Sequence, residues 1–244
     1  MPPQALFTDR QDAGRALARE LGARHDLGPA PVVLALTRGG VAVAVEVAQA
    51  LHAALDICVV RKLGLPGHAE WAMGAIASGG VRVMNPWPGL EFTPEAIGRV
   101  LAQEEAELAR RERVYRGPHP AIAIAGRRVI LVDDGMATGA SMRAAAVAVR
   151  QQHPLRLMVA VPVAAREACA ALGDVADEVL CLATPQPFRA VSLWYRHMPQ
   201  LTDEEVQGLL EKARHAHAQE LRAEADRPPG PASAPGDSGG QAQP

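Results

Sequence analysis

The residues best suited to chemistry lie in one run, VILVDDGMATGAS, at positions 129 to 141. Its four leading apolar residues predict a buried strand, which would deliver Asp133 and Asp134 to its carboxyl end, where ligands bind in open α/β sheets. The chain then bends through Gly135 and Gly139 into a predicted helix. Glycines let successive N–H groups converge, the helix adds the positive end of its dipole, and Thr138 and Ser141 add hydroxyl donors. Together these form a cup for a single phosphate. A carboxylate accepts hydroxyl hydrogens well and is a poor neighbour for phosphate, so two acids beside the cup suit a ligand that also carries a vicinal diol. A ribose 5-phosphate meets both requirements. The competing reading, a β–α connection whose acids cap the helix, accounts for one aspartate but not for both together with Thr138, Gly139 and Ser141. The run has neither the Gly-Lys-Ser/Thr ending of a P-loop nor a GxGxxG fingerprint.

The same run resembles the 5-phosphoribosyl 1-pyrophosphate (PRPP) motif of the type I phosphoribosyltransferases: four apolar residues, two acids, a short variable turn, then Thr-Gly-x-Ser/Thr. The resemblance implies that Asp133 and Asp134 bind the ribose hydroxyls. It implies that Gly135, Met136, Ala137, Thr138, Gly139, Ala140 and Ser141 hold the 5-phosphate. It further implies transfer of phosphoribosyl to a nitrogenous base or related small nucleophile, with release of pyrophosphate and a place in nucleotide salvage. Mg2+ is the implied cofactor, held mainly by the ligand, with Asp133 and Asp134 as indirect partners. Enzymes of this family that salvage hypoxanthine and guanine carry a third acid in the turn, where this chain has Ala137. That departure counts against a 6-oxopurine acceptor and leaves the acceptor open.

A departing pyrophosphate needs cations and backbone donors. Thr37, Arg38, Gly39 and Gly40 follow a predicted strand and resemble the family's pyrophosphate loop, an ordinary tight turn being the alternative. Arg61 and Lys62 close the next predicted strand, and Lys62 is one of only two lysines among the 25 basic residues. They resemble the basic pair that precedes the family's flexible loop; a solvated strand end is the alternative. Arg38 and Lys62, with Asp133 and Asp134, are thus the implied catalytic set. Residues 63 to 80 correspond to the loop that closes over the reacting centre and excludes water. Glu70, its only acid, either approaches the nucleophile or metal or is a surface carboxylate. Aromatic residues make up 3% of the chain, yet Phe188, Trp194 and Tyr195 fall close together. They mark residues 184 to 200 as a candidate hood, with Trp194 and Tyr195 stacking on a base or else packing the last helix onto the sheet. Trp71 and Trp87 mark a second candidate region.

The elements that must position these residues follow from hydrophobic patterning. Short β-branched runs alternate with longer helical patterns, which predicts an α/β fold with a parallel β-sheet flanked by helices. Strands are expected at Val32 to Leu36, Asp56 to Arg61, Val81 to Met84, Val129 to Val132, Leu157 to Val163 and Val179 to Leu182. Helices are expected from about Asp9 to Leu21, Val41 to Ala54, Thr93 to Tyr115, Ser141 to Gln151, Arg166 to Leu172 and Thr202 to Ala225. Thr93 as N-cap and Pro94 at the first helical position start the third of these. Residues 63 to 80 lack clean periodicity and read as a long loop with room for a short hairpin. One domain over residues 1 to 225 precedes a Pro/Gly/Ser-rich tail at 226 to 244, where disorder is expected.

Composition sets the outer bounds. The 244 residues are 48% hydrophobic, and 25 basic residues against 27 acidic ones give a formal charge of -2. No nucleic-acid footprint is implied. No membrane span or signal-peptide layout is seen, so a cytoplasmic location is expected. Cys58, Cys169 and Cys181 form no CxxC or Cys/His cluster and are expected to be separate, small buried residues. A homodimer is the expected assembly, and PRPP with a small acceptor the expected partners. A second function remains open, a non-catalytic regulator that senses PRPP or a nucleotide with the same cup. A phosphosugar hydrolase would need an acid or His placed to activate water, and none is evident in the sequence: His68 falls in the expected loop, and His119 follows a Gly-Pro in a break.

Overall fold

The structure, a computed structural model, describes residues 4–24, 27–28, 30–84 and 93–226. In chain order the first half comprises α1 (Arg10–Gly22), β1 (Val32–Leu36), α2 (Gly40–Ala50), β2 (Ala54–Cys58), β3 (Val60–Leu65), β4 (His68–Ala77), β5 (Val81–Met84) and α3 (Pro94–Arg116). The second half comprises β6 (Arg128–Val132), α4 (Ala140–Arg150), β7 (Arg156–Val163), α5 (Arg166–Ala170), β8 (Glu178–Ala183), a 3-10 turn at Val191–Trp194 and α6 (Asp203–Ala225).

Five strands form a parallel sheet in the order β2-β1-β6-β7-β8. Alternate residues of the central strands point to opposite layers, as the two-residue strand period requires. Val33, Ala35, Ile130, Val132, Met158 and Ala160 join the core beneath α1, α2 and α6. Val32, Leu34, Leu36, Val129, Leu131, Leu157 and Val159 join the core beneath α4 and α5. Coverage on both faces is why these strands read as continuous apolar runs without alternation.

The order reverses between β1 and β6. From β1 the chain winds outward to β2, and from β6 it winds the other way to β7 and β8. A crevice therefore opens beyond the carboxyl ends of β1 and β6, the general ligand position in such sheets. Turn 37–40 leaves β1 there, and the acidic run leaves β6 there.

Some boundaries differ from the sequence expectations. Helix α2 ends at Ala50 rather than Ala54, because His52 takes φ of 49° and the Ala53 N–H turns back to the Ala48 carbonyl at 2.9 Å. The strand expected over 56 to 61 is two strands: β2 ends at Cys58, and Val60 opens β3 in a separate antiparallel sheet, β3-β4-β5. Residues 63 to 80, expected as a loop with a short hairpin, are mostly this sheet; register shifts near Gly64 obscure its pattern in sequence. The cysteine expectation is corrected. Cys58 is buried and free, but Cys169 of α5 and Cys181 of β8 are half-buried and joined by a disulfide. No spacing motif announces that pair; the packing of α5 beside β8 creates it. Trp87 and residues 227 to 244 of the expected tail lie outside the described residues.

Residues 6 to 8 zip along the candidate hood. The Leu6 and Phe7 N–H groups donate to the Trp194 carbonyl at 2.9 and 3.0 Å, and Arg196 and His197 donate to the Phe7 and Thr8 carbonyls, each at 2.9 Å. This pairing carries the chain from the hood directly into Asp9, whose carboxylate caps α1 by accepting the Asp12 N–H.

Candidate functional site

Strand β6 ends at Val132, and the next two residues are the acid pair. The Asp133 carboxylate accepts the Asp134 N–H at 2.8 Å. Turn 37–40 lies directly on both acids, which only glycine permits. A Cβ on Gly39 would overlap the Asp134 carboxylate, and one on Gly40 would come within 2.9 Å of the Asp133 carboxylate and Cα. The Thr37–Arg38 peptide in this turn is cis.

Asp134 is held from two directions. Its Oδ2 accepts from Arg10 Nε at 2.7 Å, with the two side chains 12% and 14% exposed. Its carbonyl accepts from the Tyr195 hydroxyl at 2.6 Å. Arg10 also donates through Nη1 to the Pro199 carbonyl at 2.6 Å. Burial and the neighbouring Asp134 charge push the Asp133 carboxyl well above the usual aspartate range. Burial raises Asp134 too, but the hydrogen bond and charge of Arg10 oppose the rise. Burial, then the Asp134 charge, raises Tyr195, so its hydroxyl stays a donor.

Beyond the acids, Met136 departs from the expected set of phosphate donors. Its N–H donates to the Val163 carbonyl at 3.0 Å and its carbonyl accepts the Ala165 N–H at 2.9 Å, so its amide is committed to the end of β7. Ala137, Thr138, Ala140 and Ser141 are exposed. Gly139 takes φ of 75° as the N-cap of α4, a left-handed conformation that glycine adopts without a Cβ penalty. The Ala137, Thr138, Gly139 and Ser141 amides have no acceptor among the described residues. They form an open rim at the helix start, suited to an anion.

The other predicted residues are distributed unevenly. Arg38 directs Nη1 toward Asp203 of α6 at 3.8 Å, and Asp203 also accepts the Tyr115 hydroxyl at 2.7 Å. Arg61 pairs with Glu104 of α3 at 2.6 Å. Lys62, next along β3, points the opposite way and lines a cavity of about 220 Å³ together with Ala140, Ser141 and Gly74. The structure thus brings Lys62 beside the start of α4, but turns Arg61 away. Glu70 lies within β4. Trp194 and Tyr195 are 6% and 5% exposed. Trp194 packs on Phe188 at 6.1 Å and Tyr195 on Phe7 at 5.5 Å between ring centroids, which is packing rather than an open stacking face. Sequence reasoning missed Arg10, which sits 124 residues from its partner with no local motif, and missed the Tyr195 contact with the Asp134 carbonyl.

A group of three or more His, Cys, Asp or Glu side chains arranged to hold a metal is absent among the described residues. The acid pair offers two carboxylates, one engaged by Arg10. That donor set fits outer contacts to a metal carried by a phosphate ligand better than an all-protein cage.

Comparison with known proteins yields a consistent picture. The family model described as "Phosphoribosyl transferase domain" matches residues 8–183. Two Mycobacterium tuberculosis proteins, from strains CDC 1551 / Oshkosh and ATCC 25618 / H37Rv, are provisionally named phosphoribosyl transferases. Each is 44% identical over 227 residues, covering 91% of this chain and 51% of its own length. The chain therefore spans about half the length of the curated relatives it matches. The crystal structure of TT1426 from Thermus thermophilus is similar at 46% identity and a TM-score of 0.74, over 84% of this chain and 98% of that one.

Proposed function

Because the chain belongs to the phosphoribosyl transferase domain family, we propose that it is a transferase that moves phosphoribosyl from PRPP to a nitrogenous base or related small nucleophile. The observation that carries this reading is the contact of turn 37–40 with both carboxylates at the switch point. It joins a glycine turn suited to pyrophosphate, an acid pair suited to a diol and an amide rim suited to the 5-phosphate.

In the proposed reaction the bond from the anomeric carbon to pyrophosphate breaks and a bond from the acceptor forms on the opposite face, the acceptor's proton passing to solvent or product. No covalent enzyme intermediate is needed, so the chain contributes positioning and electrostatics. Asp133 and Asp134 fix the ribose hydroxyls, and the Ala137, Thr138, Gly139 and Ser141 amides hold the 5-phosphate. Turn 37–40 is assigned to pyrophosphate, and Lys62, carried with Glu70 on the hairpin and seated beside the start of α4, would have to reach across to it. Arg38 would have to leave Asp203, an exchange that a partly exposed pair 3.8 Å apart permits at modest cost. Mg2+, when bound with PRPP, neutralises the leaving group. Among the described residues no helix is long and apolar enough to cross a membrane, and the working form we infer is a cytoplasmic homodimer.

One observation favours a second reading. Arg38 and Arg61, two of the cations assigned to pyrophosphate, are paired elsewhere, as a PRPP or nucleotide sensor without turnover would tolerate. Incubation with Mg2+, PRPP and a panel of bases separates the two. Acceptor-dependent pyrophosphate release is expected of the transferase; tight PRPP binding without release with any acceptor would identify the sensor.

A further inference from the structure

We propose that Arg10 is a positioning residue for the ribose diol: it fixes the Asp134 carboxylate by one oxygen and ties it to the hood, leaving the other oxygen, with Asp133 alongside, to accept the ribose hydroxyls. This inference rests on the PRPP-binding reading above.

The geometry is specific. Arg10 Nε reaches only Oδ2 of Asp134, at 2.7 Å, so the guanidinium does not cover the carboxylate in the bidentate way that would consume both oxygens. Nη1 is spent on the Pro199 carbonyl at 2.6 Å. A Cβ built on Gly39 would lie 3.3 Å from Arg10 Nε, so the guanidinium runs alongside the turn assigned to pyrophosphate. This side chain thus bonds the acid and the hood segment and borders the turn. Tyr195 fixes the Asp134 backbone from the same segment at 2.6 Å. A carboxylate held at one oxygen and at its own carbonyl has lost most of its rotational freedom before ligand arrives, which lowers the ordering cost of binding.

The fold does not need Arg10 for this helix to dock. Helix α1 is seated by Ala13, Leu17 and Leu21, each 0% exposed, by the Asp9 cap and by the backbone pairing of residues 6 to 8 with the hood. Arg10 also lines a cavity of about 390 Å³ with Ala42, Pro199, Leu209 and Lys212.

The experiment compares wild type, Arg10→Lys, Arg10→Gln, Asp134→Asn and the double variant Arg10→Gln/Asp134→Asn by calorimetric titration with Mg2+ and PRPP. A second titration sets ribose 5-phosphate against 2-deoxyribose 5-phosphate, which lacks one diol hydroxyl. Circular dichroism verifies that each variant is folded. Arg10→Gln is expected to weaken PRPP by about tenfold or more, the scale of one charge-assisted hydrogen bond, and to erase the preference for ribose over deoxyribose. Arg10→Lys should restore most of both, and Arg10→Gln should add little in the Asp134→Asn background. Unchanged or tighter PRPP binding by Arg10→Gln, a retained ribose preference or additive losses in the double variant would overturn the proposal. Failure of wild type to bind PRPP would instead overturn the reading on which it rests.

Discussion

Asp133 is a carboxylate in an unfavourable place, and its cost has a sign that can be measured. Its folded pKa is raised, chiefly by burial and then by the Asp134 charge, so the folded state binds more protons than the unfolded state above the ordinary aspartate value. Stability therefore falls as pH rises through the window between the unfolded and folded values and stays reduced above it. Asp133→Asn is expected to raise the thermal midpoint at pH 7 by a few degrees, of order 1 kcal/mol, with the gain vanishing near pH 3. A lowered midpoint at pH 7 would contradict this assignment. Cys58 yields a second prediction at the same scale. Burial pushes its thiol up to about 12, and Cys169 and Cys181 are bonded to each other. The native protein should resist iodoacetamide at pH 8, and the unfolded, unreduced protein should take up one label by mass; labelling of the native protein would argue against it. Both acids were legible in the sequence because the apolar run preceding them announces a strand end. Their partner was not, since an ion pair between α1 and the end of β6 depends on how layers stack, and no local spacing encodes that.

The elements divide along similar lines. Strands β1, β5, β6 and β7 were legible nearly to the residue, because continuous or bounded apolar runs survive any tertiary detail. The β3–β4 hairpin was only half legible, since Gly64, Pro66, Gly67 and Gly74 read as loop signals while tertiary pairing overrides them. Opposite orientation of Arg61 and Lys62 follows directly from the two-residue strand period once β3 is known to be a strand. At this scale the most exposed feature is the seating of turn 37–40 on the acids. Gly39→Ala would force a Cβ into the Asp134 carboxylate, so either the turn lifts or the carboxylate swings away from Arg10. That substitution is expected to weaken PRPP binding by more than about tenfold and to destabilise the fold by about 1–3 kcal/mol, measured by titration and denaturant unfolding. An alanine variant with unchanged affinity would mean that the turn does not need to lie against the acids. The candidate hood follows the same logic: the Trp194 and Tyr195 rings pack on Phe188 and Phe7, and what reaches the acid pair is the Tyr195 hydroxyl.

Across the whole molecule, the account depends on a topological fact: the strand order reverses between β1 and β6, so two loops from opposite halves of the sheet meet over one crevice. That arrangement was implied by the alternation of strands and helices but not by any residue in it. The Cys169–Cys181 bond and the division of the cations between Lys62, beside α4, and Arg61, paired with α3, likewise emerge only when the layers assemble. The measurement that tests the central claim most directly is calorimetric titration of Mg2+ and PRPP into wild type and into Asp133→Asn/Asp134→Asn. Saturable binding by wild type, abolished in the folded double variant, is the predicted result. Equal affinity in the two proteins would contradict the assignment of the ribose to the tip of β6.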